Sequence, residues 1–459
     1  MITRRNFLRG AGSFVGVFLL GEGVLGAGRN KKRARVRGTA KRRRGVKGSR
    51  VRNNIRVTDA GPLGGSKLYE DVIAYYNLGE HRTATEVDLK TSQWLADQLR
   101  AAGLKATFQS FALRQFFIHH TRLTIGDRTI RAFPLWFPRA TDAGPINGAL
   151  ALFDKNTPAQ VRDKIALTTF PSDSRWPPSS SKTEVINTAA KAGARAVVAI
   201  TEGDTKEIVA LNSPAGAEPW PIPVVLAGPR DEVALMAAAR GAYAGTLLVE
   251  GSDETDARAR NVIARLDRGK ELIVVSTPQS GWFRCAAERG PGVALFLGLA
   301  RWASRRASGS SFLFVSTSGH EVGALGMRAF LKDLAPAPDN VKCWIHLGAG
   351  IAAFKWEEGA NGLRRLQEPD SRRTLMTSRD LVPILTDAFA GVAGMTPNTD
   401  RAVGEFEQLI KAGYHTFGIA AAHQFHHTPA DSPEMTGPEI LEPVGRSIVQ
   451  ALESIESRL

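Results

Sequence analysis

A short buried strand followed at once by a glycine-rich turn, in residues 311–331, constrains this chain more than any other stretch. Residues 312–315 are continuously apolar, which predicts a buried strand, and a helix is predicted to begin at Met327. The turn between them carries His320 and Glu321. Ligands of open α/β sheets bind beyond the carboxyl ends of the strands. We therefore expect this histidine and this glutamate to face a metal ion or a reacting group.

The rest of the chain predicts an α/β fold interrupted by one inserted domain. Strand-like and helix-like segments alternate over 65–125 and 252–459, which indicates a mixed, largely parallel central sheet with helices on both faces. Over 126–251, short β-like runs dominate, and histidine and cysteine are absent. We interpret this segment as an inserted β-rich domain that offers a surface rather than chemistry.

The first 28 residues have the pattern of an export signal. Arg4 and Arg5 precede an apolar run over 11–25, as in the twin-arginine signals that direct folded proteins across a bacterial inner membrane. A simple membrane anchor is the alternative, although the run is short for a membrane span. The sequence thus predicts export to the periplasm or the exterior, with a membrane tether if the signal is not cleaved.

The formal net charge of +15 is concentrated in a short segment behind this signal. Residues 29–56 carry fourteen Lys or Arg and no acid, and residues 57–459 are close to neutral. Because it lacks apolar periodicity, the region 29–64 is predicted to be a disordered basic linker. We interpret it as a solvated tether, with contact to an anionic lipid or polymer as the alternative. The folded part is not expected to bind nucleic acid specifically.

The chain has two cysteines, Cys285 and Cys343. They provide no disulfide framework of the kind that small secreted domains use. One disulfide between them stays open as a possibility, because the sequence does not give the distance between the two residues.

Imidazole and carboxylate side chains follow the predicted strands at four points. These are Glu288, His320 with Glu321, His346, and His427 with His426 beside it. Catalytic zinc prefers such ligands, usually three from the protein with one position open for water. Bound zinc acidifies that water and polarises a carbonyl group, which amide hydrolysis requires. His320 could take the proton of the water near neutral pH without a large pKa shift.

Each of these residues also has a purely structural interpretation. His427 could belong to a helix-cap turn, and His346 could be a core histidine with satisfied hydrogen bonds. Glu288 could form an ion pair with its neighbour Arg289. The common placement of the residues beyond strand ends is what favours a site.

In the order of its segments the chain resembles the zinc exopeptidases, the relatives of bacterial leucyl aminopeptidase, aminopeptidase Y and glutamate carboxypeptidase II. The similarity lies in NVIARL, in the strand that ends at the pair 320–321, in the late turn HHTPAD and in the opening helix over 81–104. The segments DKIAL, AAKAGARAVVAI and IPVV are similar to a protease-associated domain. The resemblance covers residues 66–459 and implies the zinc-exopeptidase fold with a peptide or another amide as substrate.

The resemblance implies one complete zinc position and one damaged position. Glu288, Glu321 and His427 fall on the three ligands of one metal ion in the family. The His-x-Asp pair that serves the other ion is replaced by Pro278 and Ser280. The resemblance therefore implies a single zinc ion.

Two more histidines complete the expected site. His320 stands where the family has its general-base glutamate, and His346 stands where it has an aspartate, so His346 is a candidate fourth ligand. Two functions are then open: an exported exopeptidase-like amide hydrolase with one zinc ion, and a catalytically inactive, receptor-like binding protein. Substrate specificity is expected to reside in the loop over 354–373.

Overall fold

The computed structural model describes residues 61–141, 144–171, 180–307, 309–360 and 362–458. The predicted signal over 1–28 and most of the predicted linker over 29–64 lie outside the described residues. None of the helices in the described ranges is long and apolar enough to cross a membrane.

The described residues form nine α-helices. They are α1 Gly65–Asn77, α2 Glu86–Ala101, α3 Ser180–Lys191, α4 Glu232–Arg240, α5 Gly290–Arg305, α6 Leu325–Asp333, α7 Val382–Ala388, α8 Glu405–Lys411 and α9 Pro438–Arg458. The last of these is amphipathic, and its buried apolar positions recur with the helical period.

The strands alternate with these helices along the chain. In the first half they are β1 Lys105–Ile125, β2 Arg128–Ile130, β3 Ala132–Pro134, β4 Ile146–Leu152, β5 Ile165–Phe170, β6 Ala196–Thr201, β7 Val224–Ala227 and β8 Ala244–Leu266. In the second half they are β9 Leu272–Pro278, β10 Ser311–Thr317, β11 Cys343–Leu347, β12 Phe354–Gly359, β13 Gly362–Pro369, β14 Thr374–Thr377, β15 Pro397–Asn398 and β16 Thr416–Ala420.

A parallel block of four strands lies at the centre of the main sheet, in the order β10-β9-β11-β16. Every residue of β9, β10 and β11 is buried, as expected of strands covered on both faces. Helices α1, α5 and α9 pack on one face, and α6 and α8 contribute apolar side chains to the other. The predicted α/β class with a mixed, largely parallel sheet is therefore confirmed, and the carboxyl ends of the four strands meet at one edge.

A long antiparallel ribbon joins this block to a second group of strands. The two strand-like runs over 246–249 and 261–266 belong to one strand, because β8 continues through both by pairing with β1. Beyond the ribbon the sheet continues in the order β4-β5-β6-β7-β3 around a core of its own. The region predicted as an inserted domain, 126–251, contains these strands, and its predicted end falls inside β8.

The structure corrects one further expectation and decides one possibility that the sequence left open. Residues 354–373 were expected to be a loop, but most of them form the antiparallel hairpin of β12 and β13, because alternating side chains pair across the two strands. Cys285 and Cys343 are both free and buried, so the possible disulfide between them is not formed.

Candidate metal centre

The loop between β9 and α5 carries the first residues of the site, and distant contacts fix its shape. The side chain of Asp431 accepts hydrogen bonds from the backbone N–H groups of Ala287 and Glu288, both at 2.9 Å. At the other end of the loop, the N–H of His81 donates to Phe283, and the carbonyl of His81 accepts from Gly281. Glu288 is therefore presented at the carboxyl edge of the parallel strands, where α5 begins.

His81 supports this loop from a fully buried position. Its ring stacks on Tyr75 at a centroid distance of 3.8 Å, and its Nδ1 lies 2.8 Å from the hydroxyl of Thr91. Burial lowers the pKa of His81 to about 3, so the imidazole stays neutral in the folded protein over a wide pH range.

Acidification should destabilise the fold through His81. Below a pH of about 6.5 the unfolded chain binds a proton at this residue that the folded chain excludes, so stability falls as the pH drops towards 3. We expect a contribution of roughly 1.4 kcal/mol per pH unit in that window. In urea unfolding between pH 8 and pH 5, His81→Phe should flatten the profile, with His119→Gln as an exposed control. An unchanged profile in His81→Phe would contradict this assignment.

Glu288, His426 and His427 form one group in which each residue offers one ligand atom, and these three atoms lie within 4.8 Å of one another. Glu288 Oε1 is 3.5 Å from His427 Nε2, and Glu288 Oε2 is 3.9 Å from His426 Nδ1. The two imidazole rings are stacked at a centroid distance of 4.1 Å. All three side chains are buried. This is the donor set, one carboxylate and two imidazoles, that zinc binds in many hydrolases.

The hydrogen bonds of His427 fix its tautomer. Nδ1 lies 3.0 Å from the carbonyl oxygen of Ala210, which can only accept, so Nδ1 carries the proton and Nε2 has a free lone pair towards Glu288. The backbone of His427 is left-handed, with φ +60°, and its N–H donates to Glu288 Oε2 at 3.2 Å. A non-glycine residue in this conformation costs about 1–3 kcal/mol and is typical of functional sites.

The protonation states suit a cation. Burial lowers the pKa values of His426 and His427, so both rings are neutral at pH 7. Burial by itself raises the pKa of Glu288, but His426, His427 and Arg289 together hold that pKa well below its usual range. Since the two imidazoles are uncharged near neutral pH, Arg289 is the permanent charge that keeps this carboxylate ionised.

Glu321 lies outside the three-residue group because other partners hold its carboxylate. Arg289 Nη2 is 2.8 Å from Glu321 Oε1, and the hydroxyl of Ser280 donates to Glu321 Oε2 at 2.7 Å. The same Nη2 is 3.2 Å from Glu288 Oε1. Glu321 therefore borders the centre through a guanidinium, and Ser280 serves as its hydrogen-bond donor.

His346 also lies outside the group. Its Nδ1 is 2.9 Å from the hydroxyl of Ser276, which also accepts a hydrogen bond from the indole of Trp344. Burial lowers the pKa of His346 to about 4. In this arrangement His346 is a neutral side chain hydrogen-bonded within the core of the sheet.

His320 pairs with a carboxylate that the sequence did not single out. Its Nδ1 lies 3.2 Å from Glu405 Oε1, and the hydroxyl of Thr317 donates to Glu405 at 2.9 Å. Burial by itself raises the pKa of Glu405, but the hydrogen bonds that its carboxylate accepts outweigh burial and leave that pKa below its usual value, so Glu405 is ionised. The carboxylate of Glu405 therefore accepts a hydrogen bond from Nδ1–H of His320, and Nε2 of the neutral ring is left as an acceptor. This is the geometry of an oriented base.

A covering segment, residues 208–213, lies over the centre and comes from the region predicted as an inserted domain. The N–H of Ala210 donates to the carbonyl of His427 at 2.9 Å, and the N–H of Ser213 donates to the carbonyl of Glu321 at 2.7 Å. Asn212 accepts a hydrogen bond from the indole of Trp282 at 2.9 Å. All six residues of the covering segment are buried. The region expected to provide only a surface thus contacts the site directly.

Sequence reasoning missed several of these residues because their partners are far along the chain. His426 was noted only as the neighbour of His427, although its position beside a second histidine was a usable signal. The role of Glu405 had no signal, since it lies 85 residues from His320. The covering segment likewise carries no motif.

Comparison with known proteins supports the fold. No family model matches the chain, and no curated protein sequence is significantly similar to it. A zinc aminopeptidase from Bacillus subtilis aligns at 18% identity with a TM-score of 0.69, over 87% of this chain and 97% of that chain. A peptidase M28 precursor from Shewanella amazonensis aligns at 15% identity and a TM-score of 0.67, over 86% of this chain and 94% of that chain.

An aminopeptidase from an Aneurinibacillus strain aligns at 16% identity with a TM-score of 0.58, over 86% of this chain and 94% of that chain. At such identities the likeness establishes the fold, and the zinc-exopeptidase-like fold expected from the sequence is confirmed. The chemistry has to be argued from the residues of the site itself.

Proposed function

We propose that this protein is a zinc-dependent hydrolase of peptides or other amides, with one zinc ion held by Glu288, His426 and His427. The observation that carries the proposal is a pair of buried atoms that form no hydrogen bond, in a group of three metal-ligating side chains. Among the described residues, His426 Nδ1 is buried without a hydrogen-bond partner, and buried Glu288 Oε1 accepts no hydrogen bond, although Arg289 Nη2 forms an ion pair with it at 3.2 Å. Buried polar atoms without partners are costly. A cation bound beside His427 Nε2 would satisfy both atoms at once.

The residues around this centre suit amide hydrolysis. A zinc ion, when bound, acidifies a water molecule and polarises a carbonyl group. His320, oriented by Glu405, can accept a proton at Nε2. Of the proteins that share the fold, one is described as a zinc aminopeptidase and another as a peptidase M28 precursor. Both descriptions agree with a peptide substrate.

Location and domain organisation belong to the same proposal. We propose export by the twin-arginine route to the periplasm or the exterior, and a protease-associated-like domain over 126–251. An exported hydrolase would meet peptides outside the cytoplasm, and the basic linker would remain a tether.

Metal analysis of the full chain, purified without chelator, tests the proposal. We expect about one zinc per chain, and amide turnover across a panel of aminoacyl and peptidyl amides that stops when the zinc is removed. His320→Gln should keep the zinc and lose most of the turnover, because general-base catalysis contributes about 10²–10⁴-fold. A chain that binds no zinc and cleaves no amide with zinc added would contradict the proposal.

A second candidate function is that of a binding protein with the same fold and no turnover. It is favoured by the burial of the centre beside the covering segment, since Glu288, His426 and His427 are each no more than 3% exposed. We infer that turnover would require the covering segment to move. Zinc binding without amide turnover in any variant of that segment would favour this second candidate.

A further inference from the structure

A buried arginine contacts both carboxylates that the sequence placed among the zinc ligands. One nitrogen of Arg289, Nη2, lies 2.8 Å from Glu321 Oε1 and 3.2 Å from Glu288 Oε1. Only about 1% of the Arg289 side chain is exposed. We infer that Arg289 is a fixed second cation of the centre, which occupies the place between Glu288 and Glu321 that a divalent metal ion would otherwise take.

The surroundings of Arg289 hold it in that place. Its Nε donates to the carbonyl of Ser280 at 2.9 Å, and the hydroxyl of Ser280 donates to the far oxygen of Glu321 at 2.7 Å. Ser280 itself is fixed by the backbone N–H of Gly319, which donates to its hydroxyl at 3.0 Å. The guanidinium is therefore a built part of the site and not a mobile surface ion pair.

Charge explains why a cation is needed between these two residues. Two carboxylates that are buried together repel each other and lose their hydration, so both stay ionised only with positive charge nearby. A guanidinium supplies that positive charge permanently, because it stays protonated and, unlike a bound metal ion, does not dissociate from the protein. Glu288 and Glu321, with the Ser280 hydroxyl beside them, are also an oxygen donor set suited to a divalent ion. Arg289 and a second metal ion are therefore mutually exclusive.

Replacing Arg289 should convert the guanidinium position into a metal site. We expect Arg289→Met to bind about one more zinc per chain than the wild type, measured by metal analysis after dialysis against zinc. Zinc should also raise the Tm of Arg289→Met by ~3 °C or more beyond its effect on the wild type, because binding stabilises the folded state. Arg289→Lys keeps the charge and should gain no ion. Arg284→Met is the matched control, an exposed arginine of the same loop.

The double variant Arg289→Met/Glu321→Gln keeps the test decisive if Arg289→Met folds poorly. Arg289→Met leaves two buried carboxylates without a guanidinium, whereas the double variant leaves only one. The double variant should therefore give more soluble, folded protein than Arg289→Met. It should not bind the extra zinc ion that Arg289→Met gains. Equal ion counts in Arg289→Met and the wild type, or equal folding of the single and double variants, would overturn the inference.

This inference rests on the proposed zinc site only for the number of zinc ions that the wild type binds. An experiment can therefore contradict the role of Arg289 without contradicting the proposed function, and the reverse. A wild type without zinc contradicts the proposed function, whereas the gain in Arg289→Met is a difference between two proteins. A wild type with one zinc and an Arg289→Met variant that also has one zinc would leave the proposed function standing and remove the role of Arg289.

Discussion

Glu288→Gln should abolish zinc binding and amide turnover together. The substitution keeps the size of the side chain but removes the charge that His426 and His427 face at 3.9 and 3.5 Å. Loss of residues that merely support a ligand costs about 10–100-fold in metal affinity, so loss of the ligand itself should cost more than about 100-fold. Competition against a calibrated chelator measures the affinity, and turnover on the best amide of the panel measures activity.

Two matched variants show whether the effect belongs to the three-residue group. Glu321→Gln and His346→Gln each change a buried residue that the sequence also placed among the ligands. We expect neither to lose more than about 100-fold in zinc affinity, the upper cost of a supporting residue, because Glu321 is held by Arg289 and Ser280, and His346 by Ser276. A loss of zinc in Glu321→Gln as large as in Glu288→Gln would place Glu321 among the ligands. Zinc retained by Glu288→Gln would remove the proposed centre altogether.

The sheet and the edge that carries the candidate site were predictable because their signals are local. Residues 312–315 are apolar without interruption, and so short a run next to a glycine-rich turn favours a strand buried on both faces. Glu288, His320 and His427 then fell beyond strand ends by their order along the chain alone. The parallel pairing of the strands brings those ends to one edge, so the approximate place of the site followed from the sequence.

The pairing within the site was not predictable, because it depends on side-chain directions. The alternative that Glu288 pairs with Arg289 describes one real contact, but the same guanidinium reaches Glu321, 32 residues away. His426 and His427 both face Glu288, and the backbone of His427 is left-handed. The residue types in this turn do not predict that conformation. The sequence could therefore name the chemistry, but it could not assign each donor to its partner.

The covering segment escaped prediction for a different reason. It contacts the site through backbone N–H and C=O groups of Ala210 and Ser213, and such contacts are almost independent of residue type. The same holds for the long ribbon of β1 and β8, where pairing between strands more than a hundred residues apart joins segments that looked separate in sequence. Long-range backbone pairing leaves little trace in composition or periodicity.

Loosening the covering segment should speed both zinc release and amide turnover. Asn212→Ala removes the acceptor for the indole N–H of Trp282, which would then be buried without a partner in the closed state. An unpaired buried donor costs about 1–3 kcal/mol, so the open population should rise roughly 5–150-fold. Stopped-flow transfer of zinc to a chelator measures the opening.

Trp282→Phe combined with Asn212→Ala removes donor and acceptor together and should return zinc release towards the wild-type rate, since losing both partners is nearly neutral. Zinc release that is equally fast in the wild type and in Asn212→Ala would mean that residues 208–213 do not control access to the centre.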